Sequence, residues 1–194
     1  MSATEPGGAT PLDPDEVRGL IPSHITTQAE LNEWEHDNIV DGERWAFAHR
    51  RNDLLTAEFL KHLHRKMFGA TWKWAGRWRT TEKNIGIAPE RIPEAVRQLL
   101  LDVAAQLEAH SYPIRETAAR LHHRLVQIHP FPNGNGRVAR TYTDLLLREH
   151  GEERFRWGEG ALIESGDARD RYVAALCAAD GRDYGPLLGF LGVR

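Results

Sequence analysis

The stretch Ile128–Arg137, IHPFPNGNGR, lies between two segments of helical apolar periodicity and decides how the chain is built. Pro130 and Pro132 stop a helix, since each lacks an amide donor and has a fixed φ. Gly134 and Gly136 admit the left-handed conformations that a tight loop needs. Upstream, PIRETAARLHHRLVQIHP puts Ala118, Leu121, Leu125 and Ile128 on one helical face. Downstream, GRVARTYTDLLLREHG predicts a helix that starts at the loop and stops at Gly151. Successive backbone N–H groups in such a loop can form a concave nest for an anion. The positive end of the following helix points at the same place. Arg137 and Arg140, three residues apart, share a face of its first turn. These features together describe a polyphosphate site. His129 stands at its edge, where a near-neutral imidazole could take a proton from an incoming nucleophile.

Working outward, TAEFLKHLHRKMFG has a Thr56 cap, apolar Phe59, Leu60, Leu63 and Met67, and a Gly69 stop, which predicts a helix. Thr27, with Glu30 three residues on, predicts a capping box for a helix carrying Leu31, Trp34, Asn38, Trp45 and Ala48, with Gly42 as its weak point. Pro93 opens a further helix with Val96, Leu99, Leu100, Val103 and Leu107 on one face. ESGDARDRYVAALCAADG and YGPLLGFL close the chain as helices. Between the helices at 57 and 93, the stretch RWRTTEKNIG sets Thr and Ile around an Asn-containing turn, which predicts a short hairpin. The expected fold is all-α, a helical bundle with a short β-hairpin flap. Residues 1–25, rich in Pro, Gly and Asp, are expected to be a flexible or draped N-terminal arm, and 26–194 one domain.

Composition narrows the function. A formal net charge of -3 over 194 residues disfavours general nucleic-acid binding, so no direct nucleic-acid contact is expected. One cysteine, Cys177, cannot form an internal disulfide, and no basic-apolar leader or membrane-length apolar run is seen. A cytoplasmic chain without membrane contact is the expectation. Cys177, within YVAALCAA, reads as a small buried hydrophobe. His62 and His64 face apart on a helix, and with His122 and His123 they read as satisfied or solvated side chains rather than metal ligands. Trp72, Trp74 and Trp78 read as core and rim packing rather than a nucleotide-stacking box.

HPFPNGNGRVAR, His129 to Arg140, resembles the signature of the Fic/Doc family, HxFx[D/E]GNGRxxR. The resemblance extends from about Thr26 to Leu188. The arm with GLIPSHITTQAELNEWE also resembles the subgroup called mobile mystery protein B. The resemblance implies a protein nucleotidyltransferase, specifically an adenylyltransferase (AMPylation), moving AMP from ATP to a Ser, Thr or Tyr hydroxyl of a target protein. It implies His129 as general base and Phe131 as the anchor of the loop. Gly134, Asn135 and Gly136 would cradle phosphates, with Arg137 on the β-phosphate side and Arg140 at the γ-phosphate. Thr80, Thr81, Glu82, Lys83, Asn84 and Ile85 match the family's target-docking flap.

Asn133 stands where the family has an Asp or Glu that holds Mg²⁺. A neutral oxygen implies weakened metal binding. Alternatives are a phosphate-transferring, Doc-like toxin, or a weakly active nucleotide-binding regulatory module. The family's inhibitory glutamate motif is only partly met by Thr26 and Glu30, so Glu30 is expected to serve the capping box. Inhibition is then expected from a separate antitoxin-like partner.

Overall fold

A computed structural model describes residues 13–158 and 166–193. In chain order they form α1 (Pro14–Val17), α2 (Gln28–Ala48), α3 (Ala57–Phe68), a 3-10 turn (Pro89–Arg91), α4 (Ile92–Glu108), α5 (Ile114–Ile128), α6 (Asn135–Glu149), α7 (Asp167–Asp180) and α8 (Gly185–Phe190). α2 packs on α3, α5 packs on α4 and α6, and α7 packs on α8. The all-α bundle expected from the apolar periodicity is the fold observed. No described helix is long and apolar enough to cross a membrane.

The predicted apolar faces of α3 to α6 build the core, whereas Trp34 and Ala48 of α2 are exposed. Leu60, Leu63 and Met67 of α3, Val96 of α4, Leu121, Leu125 and Ile128 of α5, and Val138 and Leu145 of α6 are all buried together. Each such side chain contributes about 1.5–3 kcal/mol on transfer from water. The caps also hold. The Thr27 hydroxyl accepts from Glu30 N at 3.2 Å, and Glu30 Oε2 accepts from Thr27 N at 2.9 Å. Glu30 therefore closes α2 as expected. Gly42 is not a weak point. α2 runs through it, and a Cβ there would lie 2.7 Å from the Met67 Cα. The glycine is a notch that lets the α2 and α3 backbones approach.

Three local expectations changed or gained detail. Residues 1–12 of the expected arm lie outside the described residues, but residues 16–21 are draped against the connector after α3. Ile21 N donates to Thr71 O at 2.8 Å, Lys73 N donates to Gly19 O at 2.9 Å, and Trp74 Nε1 donates to Glu16 O at 3.0 Å.

The hairpin expected over RWRTTEKNIG, residues 77–86, is absent: the described residues there form bends with no strand. Its two limbs are bridged by the Arg79 guanidinium, which donates to Thr81 O and Ile87 O and takes the place of a ladder. Cys177 is exposed rather than buried. Tyr172, Ala175 and Ala179 take the inward face of α7, and Cys177 follows Ala175 by two residues, about 200° around the helix. An all-apolar run hides which face is inward.

Candidate active site

The loop between α5 and α6 is built by two left-handed turns. His129 ends α5 with φ 54° and Gly134 opens α6 with φ 76°. Between them Phe131 is fully buried, stacked on His64 with ring centroids 3.8 Å apart and tilted against Trp78 at 5.0 Å. Asn135, also buried, clasps the loop. Its Oδ1 accepts from Phe131 N and its Nδ2 donates to Phe131 O, both at 2.8 Å. The Asn135 side chain is thus committed to the loop's shape. Gly134 is required on two counts, its positive φ and the Phe68 ring, whose Cζ would lie 2.5 Å from a Cβ.

His64 sits behind the loop. Its Nδ1 accepts from Gly76 N and its Nε2 donates to Asn133 O, each at 3.0 Å. Both ring nitrogens are used only by the neutral Nε2–H tautomer. Burial, the nearby Arg137 adding to it, pushes the His64 pKa down to about 3. His122 and His123 are likewise engaged, with the Tyr172 hydroxyl at 2.7 Å and Asp180 at 2.9 Å. His62 lies against Trp45, and Trp72 stacks on Trp74 at 5.1 Å. His64, His122 and His123 are thus satisfied and His62 is exposed, and the tryptophans serve packing, as expected.

His129 itself is 4% exposed. The near-neutral pKa expected for it is not what the fold produces. Burial first, then the Arg79 and Lys83 charges, push it down to about 4, while a hydrogen bond with the Val126 backbone opposes them. The imidazole is therefore unprotonated at neutral pH, the form able to accept a proton.

At the other end, α6 begins its intrahelical bonds with Val138 N donating to Gly134 O at 2.9 Å. By helix geometry the N–H groups of Asn135, Gly136 and Arg137 have no acceptor within the helix. Arg137 leaves this turn over the Phe68 ring. Its guanidinium donates to Glu35 Oε2 at 2.8 Å and to Asn133 Oδ1 at 3.2 Å. Glu35 also accepts from Trp72 Nε1 at 2.6 Å. Sequence reasoning missed Glu35, which approaches from α2, 102 residues away in sequence. No spacing signal could have marked it. Arg140 is half-buried beside Tyr172, whose hydroxyl lies 2.7 Å from His122 Nε2. Burial lowers the Arg140 pKa from its ordinary value, yet a guanidinium stays charged.

The residues around Asn133 do not fit a resident divalent cation. Asn133 Oδ1 accepts from Gly134 N at 2.5 Å and from the Arg137 cation, so its lone pairs face donors. Among the described residues no group of three His, Cys, Asp or Glu is placed to hold a metal.

In the flap segment, Thr80, Thr81, Glu82, Asn84 and Ile85 are exposed. An open cleft beside them is lined by Arg79, Thr80, Glu82, Pro89 and Glu90. The Lys83 side chain is only 3% exposed. Its Nζ donates to Glu16 at 2.6 Å and to Asp13 at 3.0 Å, and the Thr81 hydroxyl donates to Asp13 at 2.7 Å. The arm therefore lies against this segment.

A helical bundle whose central loop joins an unprotonated histidine to an arginine-bearing helix start defines the class. Residues 54–147 match the model of the Fic/DOC family, which marks that part of the chain as a Fic/DOC segment. It is 32% identical over 147 residues to protein adenylyltransferase fic-1 of Caenorhabditis elegans, covering 73% of this chain and 27% of that one. A protein of Sinorhizobium fredii named probable protein adenylyltransferase y4lH is 28% identical over 173 residues, 85% of this chain and 84% of its own. The chain spans only about a quarter to a third of the animal adenylyltransferases it matches.

Among solved structures, Bartonella tribocorum BepC with bound AMPPNP superposes with a TM-score of 0.70 at 18% identity, covering 92% of this chain and 96% of that one. A Fic-domain signalling protein of Bacteroides thetaiotaomicron gives 0.59 at 22%, covering 89% and 70%. These likenesses establish the fold.

Proposed function

We propose that this chain is a protein adenylyltransferase that moves AMP from ATP to a Ser, Thr or Tyr hydroxyl of another protein. The observation that carries the reading is the single loop that holds His129 unprotonated at one end and opens α6 with Arg137 at the other. His129 takes the proton of the target hydroxyl. The hydroxyl oxygen bonds to the α-phosphorus, the bond to the bridging oxygen breaks, and pyrophosphate leaves. A base in this role contributes roughly 10²–10⁴-fold. Incoming phosphates are anionic and raise the imidazole's proton affinity from its depressed value, favouring the transfer.

The Gly134–Arg137 backbone and the two arginines hold the triphosphate, offsetting charge as it develops on the leaving group. To reach it, Arg137 gives up Glu35. Magnesium belongs to this reading as an ion carried on the nucleotide, with Asn133 a weak neutral ligand at most. Residues 80–85, exposed except for Lys83, are the segment against which a target chain would lie, by strand addition or side-chain contact. The arm at 1–25 and a catalytic unit at 26–194 remain the proposed domain division. The lone cysteine supports a reducing, cytoplasmic setting. Since Glu30 is used as a cap, an inhibitor is sought in a separate antitoxin-like protein.

The test is incubation of the chain and a cell lysate with ATP labelled at the α- or the γ-phosphate. Label on protein from the α-position alone supports AMP transfer. Label from the γ-position alone means phosphate transfer, and neither label with retained ATP binding means a regulatory module.

A further inference from the structure

Arg79 is 2% exposed, on the connector between α3 and α4. A buried guanidinium is tolerated only when its donors are met. Here the planar fork meets three backbone carbonyls. Nε donates to His129 O at 2.7 Å, one terminal nitrogen donates to Thr81 O at 2.8 Å, and the other donates to Ile87 O. The main chain adds to this, with Arg79 N donating to Pro130 O at 2.9 Å. The His129 carbonyl lies at the C-terminal end of α5, where helix carbonyls lack partners and a cation is favoured. Gly86 closes the packing: a Cβ there would lie 2.6 Å from the Arg79 guanidinium and 2.7 Å from the His129 Cβ. Glu82 and Glu16 attract Arg79 from farther off.

The geometry points to Arg79 as a positioning residue that ties the backbone of the base to both limbs of the 81–87 segment, so that imidazole and docked hydroxyl keep one relation. This inference rests on the reading of His129 as the base and on the segment as the docking surface. Arg79 donates to neither the phosphate-facing turn nor Arg137. It therefore acts on turnover and not on nucleotide affinity. A lysine keeps the charge but cannot span three carbonyls. The charged groups acting on the His129 ring are Arg79 itself and Lys83 of the flap segment.

The experiment compares wild type, Arg79→Lys and Arg79→Met at matched folded fraction, checked by circular dichroism and melting. Nucleotide affinity, α-label turnover and the His129 NMR titration are measured, with the His129 signal assigned by its loss in His129→Gln. Arg79→Lys is expected to lose 10-fold or more in turnover with nucleotide affinity within 2-fold and the His129 titration near its wild-type position. Arg79→Met is expected to lose as much turnover and to shift the His129 titration to higher pH. Wild-type turnover in Arg79→Lys, or an equal loss of nucleotide affinity in either variant, overturns the inference.

Should Arg79→Met not fold, Arg79→Gln replaces it with the same expected shift. If wild type transfers no α-label, the adenylyltransferase reading fails on its own. Amide exchange then decides for Arg79: Ile87 N, which donates to Ile128 O at 3.4 Å, should lose protection 10-fold or more in Arg79→Lys. Unchanged protection there overturns the positioning role.

Discussion

Replacing Glu35 by Gln probes the ion pair that stands in the proposed phosphate site. Glu35 is 13% exposed at its side chain and Arg137 30%, and the charged atoms are 2.8 Å apart. At an effective dielectric near 20, a pair at about 4 Å attracts by about 4 kcal/mol before desolvation. Desolvation and side-chain ordering return much of that, leaving about 1–2 kcal/mol for a half-buried pair. A triphosphate that recruits Arg137 must first overcome this attraction. Glutamine keeps an oxygen for Trp72 Nε1 but removes the negative charge.

ATP is therefore expected to bind Glu35→Gln roughly 5- to 30-fold more tightly, from 1–2 kcal/mol at 1.4 kcal/mol per factor of ten. The gain should shrink as salt rises. The assay is calorimetric titration of ATP into wild type and variant at low and high salt, with melting temperatures recorded beside it. Unchanged or weaker ATP binding in a folded variant would refute the argument, because Arg137 would then not be shared between carboxylate and phosphate.

Gly134→Ala combines a left-handed backbone with a clash against Phe68, together costing about 2–5 kcal/mol. Urea denaturation is expected to record that loss, and ATP binding should fall with it because the phosphate-facing turn shifts. Asn133→Asp adds a charge and further lone pairs while still accepting from Gly134 N, so the magnesium titration of activity should move to lower concentration. Superimposed curves would remove position 133 from any contact with the ion.

Acid should destabilise the fold. His64 and His122 are held down to about 3 in the native state, against about 6.5 when unfolded. Between those values the unfolded chain binds more protons, so stability is lost as pH falls below about 6.5. Asp144, pushed up to about 6 by burial, works the other way and is outnumbered. The urea midpoint at pH 5 is therefore expected below that at pH 7, and His122→Gln should flatten the difference.

The helices α3 to α6 were legible because their apolar faces, caps and stops lie within single segments. The loop was legible because proline and glycine constrain the backbone wherever they stand. Its candidacy as a site followed from His129, Arg137 and Arg140 lying within one short stretch. What was hidden was carried by tertiary contacts. Glu35 reaches Arg137 from another helix, and Arg79 replaces a hairpin ladder with a guanidinium, so strand propensity at Thr80 to Ile85 was overridden. His64 read as a satisfied or solvated side chain, and it is a satisfied one, but the sequence did not show that its partners are Gly76 and Asn133. The depressed pKa of His129 is a product of burial and of charges brought by the connector, and neither is visible in the spacing of the motif.

The central claim is that His129 drives AMP transfer. Its most direct test is intact-mass and peptide mass spectrometry of proteins from a lysate treated with ATP and either wild type or His129→Ala. Wild type is expected to add one AMP to a Ser, Thr or Tyr of a defined protein. His129→Ala should slow that addition by ~10²-fold or more while binding ATP as wild type does. AMP addition at the wild-type rate by the folded His129→Ala variant would contradict the account.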